Sequence, residues 1–162
     1  MSFTNHYINE SKINKQPLID YAKKFKSSED LLRSGGFPIE LLDKVAYGFS
    51  SGDIKQLHPK KLNIKWNDLE NVEDEVKKSG LSSVAWSKKV DLSEPIEVSY
   101  ENGKFWIEDG HHRYYAAKML NKMLRVDLEI KDKPIRKILN MKNYDYDKFH
   151  RDIYDLSQHS KG

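Results

Sequence analysis

Apolar residues recur along the chain first at a helical spacing and then at an alternating one, and the change divides the sequence. Between Gln16 and Lys26, Leu18, Ile19, Ala22 and Phe25 follow a helical spacing, with Pro17 suited to the first turn. Ser28 can cap a short helix carrying Leu31 and Leu32, with Glu29 and Asp30 at its positive end and Gly35-Gly36 closing it. Pro38 opens a third helix with Leu41, Leu42, Val45 and Ala46 as its apolar positions, closed between Gly48 and Gly52. From Asp53 the pattern changes. Lys61 to Trp66 alternates like a strand, with Leu62, Ile64 and Trp66 on one face. Asn67 or Asp68 then starts a helix to about Lys78, with Leu69, Val72 and Val76 as its buried stripe and Gly80 just past its end. Ser82 to Ser93 reads as a loop-rich stretch.

The second half is more regular. Val98 to Ile107 is two short runs around Glu101-Asn102-Gly103, a strong hairpin signal. Its second strand runs straight into Asp109-Gly-His-His-Arg113, which reads as a glycine turn and the first turn of an amphipathic helix. Leu124 to Ile130 alternates cleanly as a further strand. Pro134 to Met141 reads as a short helix and Tyr144 to Leu156 as a final amphipathic one. These elements predict an α+β fold in three parts: a helical N-terminal extension over 1–52, a central domain over 53–142, and a C-terminal helix and tail over 143–162. Met1 to about Lys15 is polar and expected to be loosely ordered.

Chemistry concentrates at the glycine turn. A helix start leaves backbone N–H groups unpaired and carries the positive end of the helix dipole. Gly110 lets a phosphate approach the backbone, while His111, His112 and Arg113 add side-chain donors. Asp109 adjoins the turn and can accept a hydroxyl proton or bind Mg²⁺. A plainer reading of the same residues makes Asp109 an N-cap and the histidines a solvated helix face. His111 and His112 are adjacent, so on a helix they diverge by roughly 100° and make a poor metal pair. Trp86, Trp106, Tyr114 and Tyr115 are candidates to stack a base, with Tyr115 and Trp106 better suited to the core.

The run from Pro95 to Val98, then Gly103 to Leu120, then Val126 to Ile130 resembles the ParB/sulfiredoxin-like superfamily. Its Asp-Gly-His-His-Arg form most resembles the free serine kinase branch and related, often phage-borne, domains. The resemblance covers about Ile64 to Ile130 and is tight from Pro95 onward. It implies a small mixed sheet with packed helices, and a turn and helix start that bind the phosphates of ATP, ADP or CTP. Gly110, His112 and Arg113 would take that role. His111 falls where sulfiredoxins carry a catalytic cysteine, and this chain has none, so sulfiredoxin chemistry is excluded. In the serine kinase branch an acid after the first strand assists as base, and Asp68 or Glu70 stands in roughly that place. These acids also simply favour a helix N-terminus.

Composition limits the remaining choices. A chain of 162 residues, 38% hydrophobic and 33% charged, suits one modest core with a well-solvated surface. Without cysteine there are no disulfides or thiolate metal sites, which fits a reducing compartment. No run approaches the roughly 18 apolar residues needed to span a bilayer. The start lacks a signal-peptide core, so the expected location is cytoplasmic. Net charge is +3, but His111 to Lys142 holds nine Lys/Arg against three acids, while Asp68 to Glu75 is an acidic block. The expected function is nucleotide binding with phosphoryl transfer or nucleotide hydrolysis. The alternatives are a nucleic-acid-linked role, as a ParB-like clamp or nuclease, and a non-catalytic partner-binding protein using the helical extension. The stretch after the motif is short for an appended helix-turn-helix and nothing resembles a groove-reading helix, so at most weak, sequence-independent nucleic-acid binding is expected.

Overall fold

The structure is a computed structural model that describes residues 13–159, so most of the N-terminal stretch expected to be loosely ordered lies outside it. The described residues form two compact units, one within 1–50 and 133–162 and one of residues 51–132. The first is helical. It contains α1 (Gln16–Ala22), α2 (Ser28–Arg33), α3 (Ile39–Tyr47), α7 (Pro134–Leu139) and α8 (Tyr146–His159). Its core is Leu18, Ala22, Leu31, Phe37, Leu42, Ala46, Ile135, Ile138, Phe149 and Ile153. Ile135 and Ile138 are the reason that 133–142, expected with the central domain, packs here instead. Ser27 rather than Ser28 caps α2, accepting the Asp30 N–H at 3.1 Å. One buried polar group stands out. His150 lies wholly inside, its Nε2 accepting the Phe37 N–H at 3.0 Å and its Nδ1 2.8 Å from the Tyr146 carbonyl.

The second unit is α+β, with a mixed five-stranded sheet. Its strands are β1 (Gln56–Leu57), β2 (Leu62–Asn63), β3 (Ile96–Glu101), β4 (Lys104–Asp109) and β5 (Leu124–Ile130), in the order β1-β5-β3-β4-β2. β3 pairs antiparallel with β4 and parallel with β5, β2 runs parallel to β4, and β1 antiparallel to β5. The hairpin forms where the sequence places it: Asn102 at φ 53° and Gly103 at φ 77° make the two-residue turn that strand twist favours. The unit also holds three α-helices, α4 (Trp66–Ser79), α5 (Ser83–Lys88) and α6 (His111–Leu120), and two short 3-10 turns at Ser51–Asp53 and Pro59–Lys61.

The position of α6 defines the unit. Four consecutive residues, Tyr114 to Ala117, are buried, so the middle of the helix is covered on every side rather than on one face as expected, while His112, Lys118 and Met119 stay exposed. Tyr114 and Ala117 pack on the sheet with Ile96, Val98, Ile107 and Leu124, whereas Tyr115 packs with Val72 and Val76 of α4. Two local expectations also fail. The strand at 61–66 is only Leu62–Asn63, and Trp66 begins α4 with 68% of its surface exposed. The expected loop-rich stretch from Ser82 contains α5, capped by Ser82, whose hydroxyl accepts the Ala85 N–H at 3.1 Å.

Candidate functional site

A bulge prepares the end of β4. Val98 opposes Ile107 while Glu97 opposes Asp109, so Glu108 is an extra residue and the strand bends into the turn. Glu108 itself is tied back into the sheet. Its Oε1 accepts from Ser99 Oγ at 2.6 Å and from Lys131 Nζ at 3.2 Å, and these donors hold its carboxyl below the usual carboxylate range. Asp109 is left exposed beside the turn.

Gly110 follows at φ 99° as the N-cap of α6, and no side chain caps that helix. Asp109 does not do so: its Oδ1 accepts the N–H of Gly110 at 2.9 Å, one residue short of the helix. The first-turn N–H groups of α6 have no acceptor within the helix, and its positive dipole end stays uncompensated by a cap. The capping reading of Asp109 is thereby set aside.

The turn lines a cleft of about 300 Å³. Asp109, Gly110, His111, His112 and Arg113 form one side, and Asp68, Asn71, Val72 and Glu75 of α4 form the other. The two histidines meet different carboxylates of α4. His111 Nε2 lies 3.3 Å from Asp68 Oδ2, and His112 Nε2 lies 2.8 Å from Glu75 Oε2. Neighbours on a helix diverge by roughly 100°, so they reach acids seven positions apart along α4. His111 Nε2 is shielded from solvent yet makes no hydrogen bond, the Asp68 approach having the distance of an ion pair without hydrogen-bond geometry. The His112 ring stands edge-on to Trp86 at 5.9 Å, and Trp86 in turn packs edge-on to buried Tyr115 at 5.6 Å.

Arg113 has a second task. Its Nη1 donates to the carbonyls of Pro95 at 2.8 Å and Glu94 at 3.3 Å, anchoring the segment that enters β3. A guanidinium carries five N–H donors, so these bonds use part of the fork and leave Nε and Nη2 donors on the same side chain. Glu70, one of the two acids considered as a base, does not line the cleft, whereas Asp68 does. Of the aromatics, Tyr114 and Tyr115 are core residues. Glu75 and Asn71 were absent from the sequence-based site. The available signal was spacing: Asp68, Asn71, Val72 and Glu75 fall on one face of a helix. The basic stretch is divided, with Lys131 and the residues before it in one unit and Lys133, Arg136, Lys137 and Lys142 in the other. Among the described residues no three His, Asp or Glu side chains are grouped to hold a metal ion. No helix among them is long and apolar enough to cross a membrane.

No protein-family model matches the chain, and no curated protein matches it. Two solved structures are similar to it. One is sulfiredoxin from Arabidopsis thaliana, at 20% identity over 52% of this chain and 93% of that one, with a TM-score of 0.25. The other is the C-terminally truncated chromosome-partitioning protein ParB from Caulobacter crescentus complexed with CTP-gamma-S. It shows 18% identity over 56% of this chain, with a TM-score of 0.28. The match spans 54% of that partition protein's chain, about half its length.

Proposed function

We propose that the cleft binds the phosphates of a nucleoside di- or triphosphate at the start of α6 and acts on them by phosphoryl transfer or hydrolysis. One observation carries the reading: an uncapped helix start with Gly110, His111, His112 and Arg113 shares a cleft with the carboxylates Asp68 and Asp109. Anion donors and candidate proton acceptors are thus within one small volume. The sequence resemblance over Pro95 to Ile130 adds ATP, ADP or CTP as the nucleotides to test. About 300 Å³ is at the small end for ligand pockets, which suits a phosphate chain better than an enclosed whole nucleotide.

In this reading the backbone N–H groups after Gly110 and the side chains of His112 and Arg113 hold phosphate oxygens. Asp109 takes the proton of the attacking hydroxyl or water, and Asp68 orients His111 across the cleft. Mg²⁺, when bound, would neutralise phosphate charge. Asp109 would hold it as the alternative to acting as base, since Mg²⁺ is commonly bound by one or two carboxylates together with substrate phosphates. The test is a thermal-shift panel of ATP, ADP, CTP and GTP, each with and without Mg²⁺. A ligand at about one hundred times its Kd stabilises by about 2.7 kcal/mol, a readily measured shift. No shift with any nucleotide would remove the reading.

A further inference from the structure

The cleft carries its own anions. Three carboxylates, Asp68, Glu75 and Asp109, line it against a single guanidinium and two imidazoles. The imidazole nitrogens are already faced by carboxylate oxygens, at 3.3 Å for His111 with Asp68 and 2.8 Å for His112 with Glu75. Part of the Arg113 fork is held by the carbonyls of Glu94 and Pro95. A phosphate entering this cleft therefore meets side-chain donors that other acceptors already face. We infer that Glu75, aided by Asp68, is a specificity-determining residue that competes with the ligand's phosphate for the α6 histidines and disfavours highly charged anions. This rests on the reading that the cleft binds nucleotide phosphates.

The competition is of a kind that a ligand can win. The Glu75–His112 pair is more than half exposed, and exposed ion pairs are individually weak. A ligand phosphate displacing it would exchange one weak pair for bonds with the helix start and His112 together. The repulsion, in contrast, acts on every negative charge of the ligand. The site would then favour a ligand of lower net charge, a nucleoside diphosphate over a triphosphate in the absence of a cation. Asp74, adjacent to Glu75 on α4, does not line the cleft, so it reports how much of any effect is only the acidity of the helix.

The test is an equilibrium titration of ADP, ATP and inorganic pyrophosphate, without divalent cations, into the full chain and three variants. Glu75→Gln and Asp68→Asn are each expected to raise affinity at least about fivefold, more for ATP than for ADP. Asp74→Asn is expected to change it less than about twofold. Wild type failing to bind ATP in the absence of a cation while Glu75→Gln binds it would support the inference. Wild type binding, with Glu75→Gln and Asp68→Asn equal or weaker, would overturn the inference and leave the nucleotide reading standing. An increase of the same size in Asp74→Asn would also overturn it. Absence of binding in all four proteins, also when Mg²⁺ is then added, would overturn the nucleotide reading, and this inference with it.

Discussion

Gly110 lies against Ile96 of β3 so closely that a Cβ on the glycine would stand 2.7 Å from the isoleucine Cβ. The same residue holds φ 99°, where side chains are rarely found. Glycine is thus required at the head of α6 for a packing reason independent of any ligand. Gly110→Ala is expected to lower stability by about 2–4 kcal/mol through strain and overlap. Chemical denaturation followed by circular dichroism measures it, and an unchanged midpoint would show that the turn is less constrained than its geometry implies.

Asp109→Asn separates binding from chemistry. Asn offers the same Oδ1 to the Gly110 N–H, so the turn is expected to survive. Nucleotide affinity should persist or rise as one repelling charge is removed. Turnover should fall at least about a hundredfold, the usual scale of a missing general base. Single-turnover assays on wild type and variant check it, and equal rates would leave Asp109 a turn residue only.

Arg113→Ala is expected to have two effects, because the side chain serves both the cleft and the segment entering β3. Removing the hydrogen bonds to the Pro95 and Glu94 carbonyls should cost about 1–3 kcal/mol of stability. Removing a charge-assisted bond to phosphate should independently weaken nucleotide binding by about 1.5–3 kcal/mol. Denaturation and titration on the same sample distinguish the two. Reduced stability at unchanged affinity would confine Arg113 to the scaffold.

The helical unit contains two buried titratable groups with opposite pH responses. Burial holds the His150 pKa below its usual 6.5. The unfolded chain therefore takes up the proton first, and stability is lost as pH falls through 6.5 toward the lower folded value. Protonation would also turn Nε2 from an acceptor into a donor facing the Phe37 N–H. Asp43 behaves oppositely. Burial, with Glu40 nearby, pushes its carboxyl up to about 6 from 3.8. The folded state keeps that proton longer, so stability falls as pH rises from 3.8 to about 6, and above that a constant penalty remains. Asp43→Asn is expected to be more stable than wild type at about pH 7.5, by on the order of 1–2 kcal/mol. It should lose stability more steeply between about pH 7.5 and about 5.5, with the His150 response unmasked. Equal pH slopes for the two proteins would contradict this.

The reach of the sequence is clearest at individual residues. Helix ends are readable because Gly48 and Gly80 adopt the left-handed conformation that stops a helix. The hairpin is readable from Asn102-Gly103, and β5 from strict alternation. Trp66 departs from its expected strand because an alternating run of six residues counts for little when only Leu62 and Asn63 find partners, Phe105 and Trp106. The Asp68 carboxylate near the helix start favours α4 over a longer strand. One side of the candidate site is legible as a contiguous motif. The opposing side is not: that α4 presents Glu75 to His112, or that Arg113 reaches back to Pro95, depends on how α6 packs, and local spacing carries no record of it.

The divided basic stretch gives a separate expectation. Charge reversal at Lys133, Arg136 and Lys137 together should leave nucleotide affinity unchanged, because these residues belong to the helical unit and do not line the cleft. Titration at two salt concentrations checks it, since any polyanion binding through them should weaken steeply with salt. A drop in nucleotide affinity would show that they contribute to the site.

Whether α6 begins a nucleotide site is decided by titrating ATP, ADP and CTP, with and without Mg²⁺, into wild type and into a His112→Ala Arg113→Ala double variant. At least one nucleotide should bind wild type. Two charge-assisted bonds of about 1.5–3 kcal/mol each would be removed in the double variant, so its affinity should fall by roughly a hundredfold or more. No binding to wild type, or binding to the double variant at wild-type affinity, would contradict a phosphate site at the start of α6.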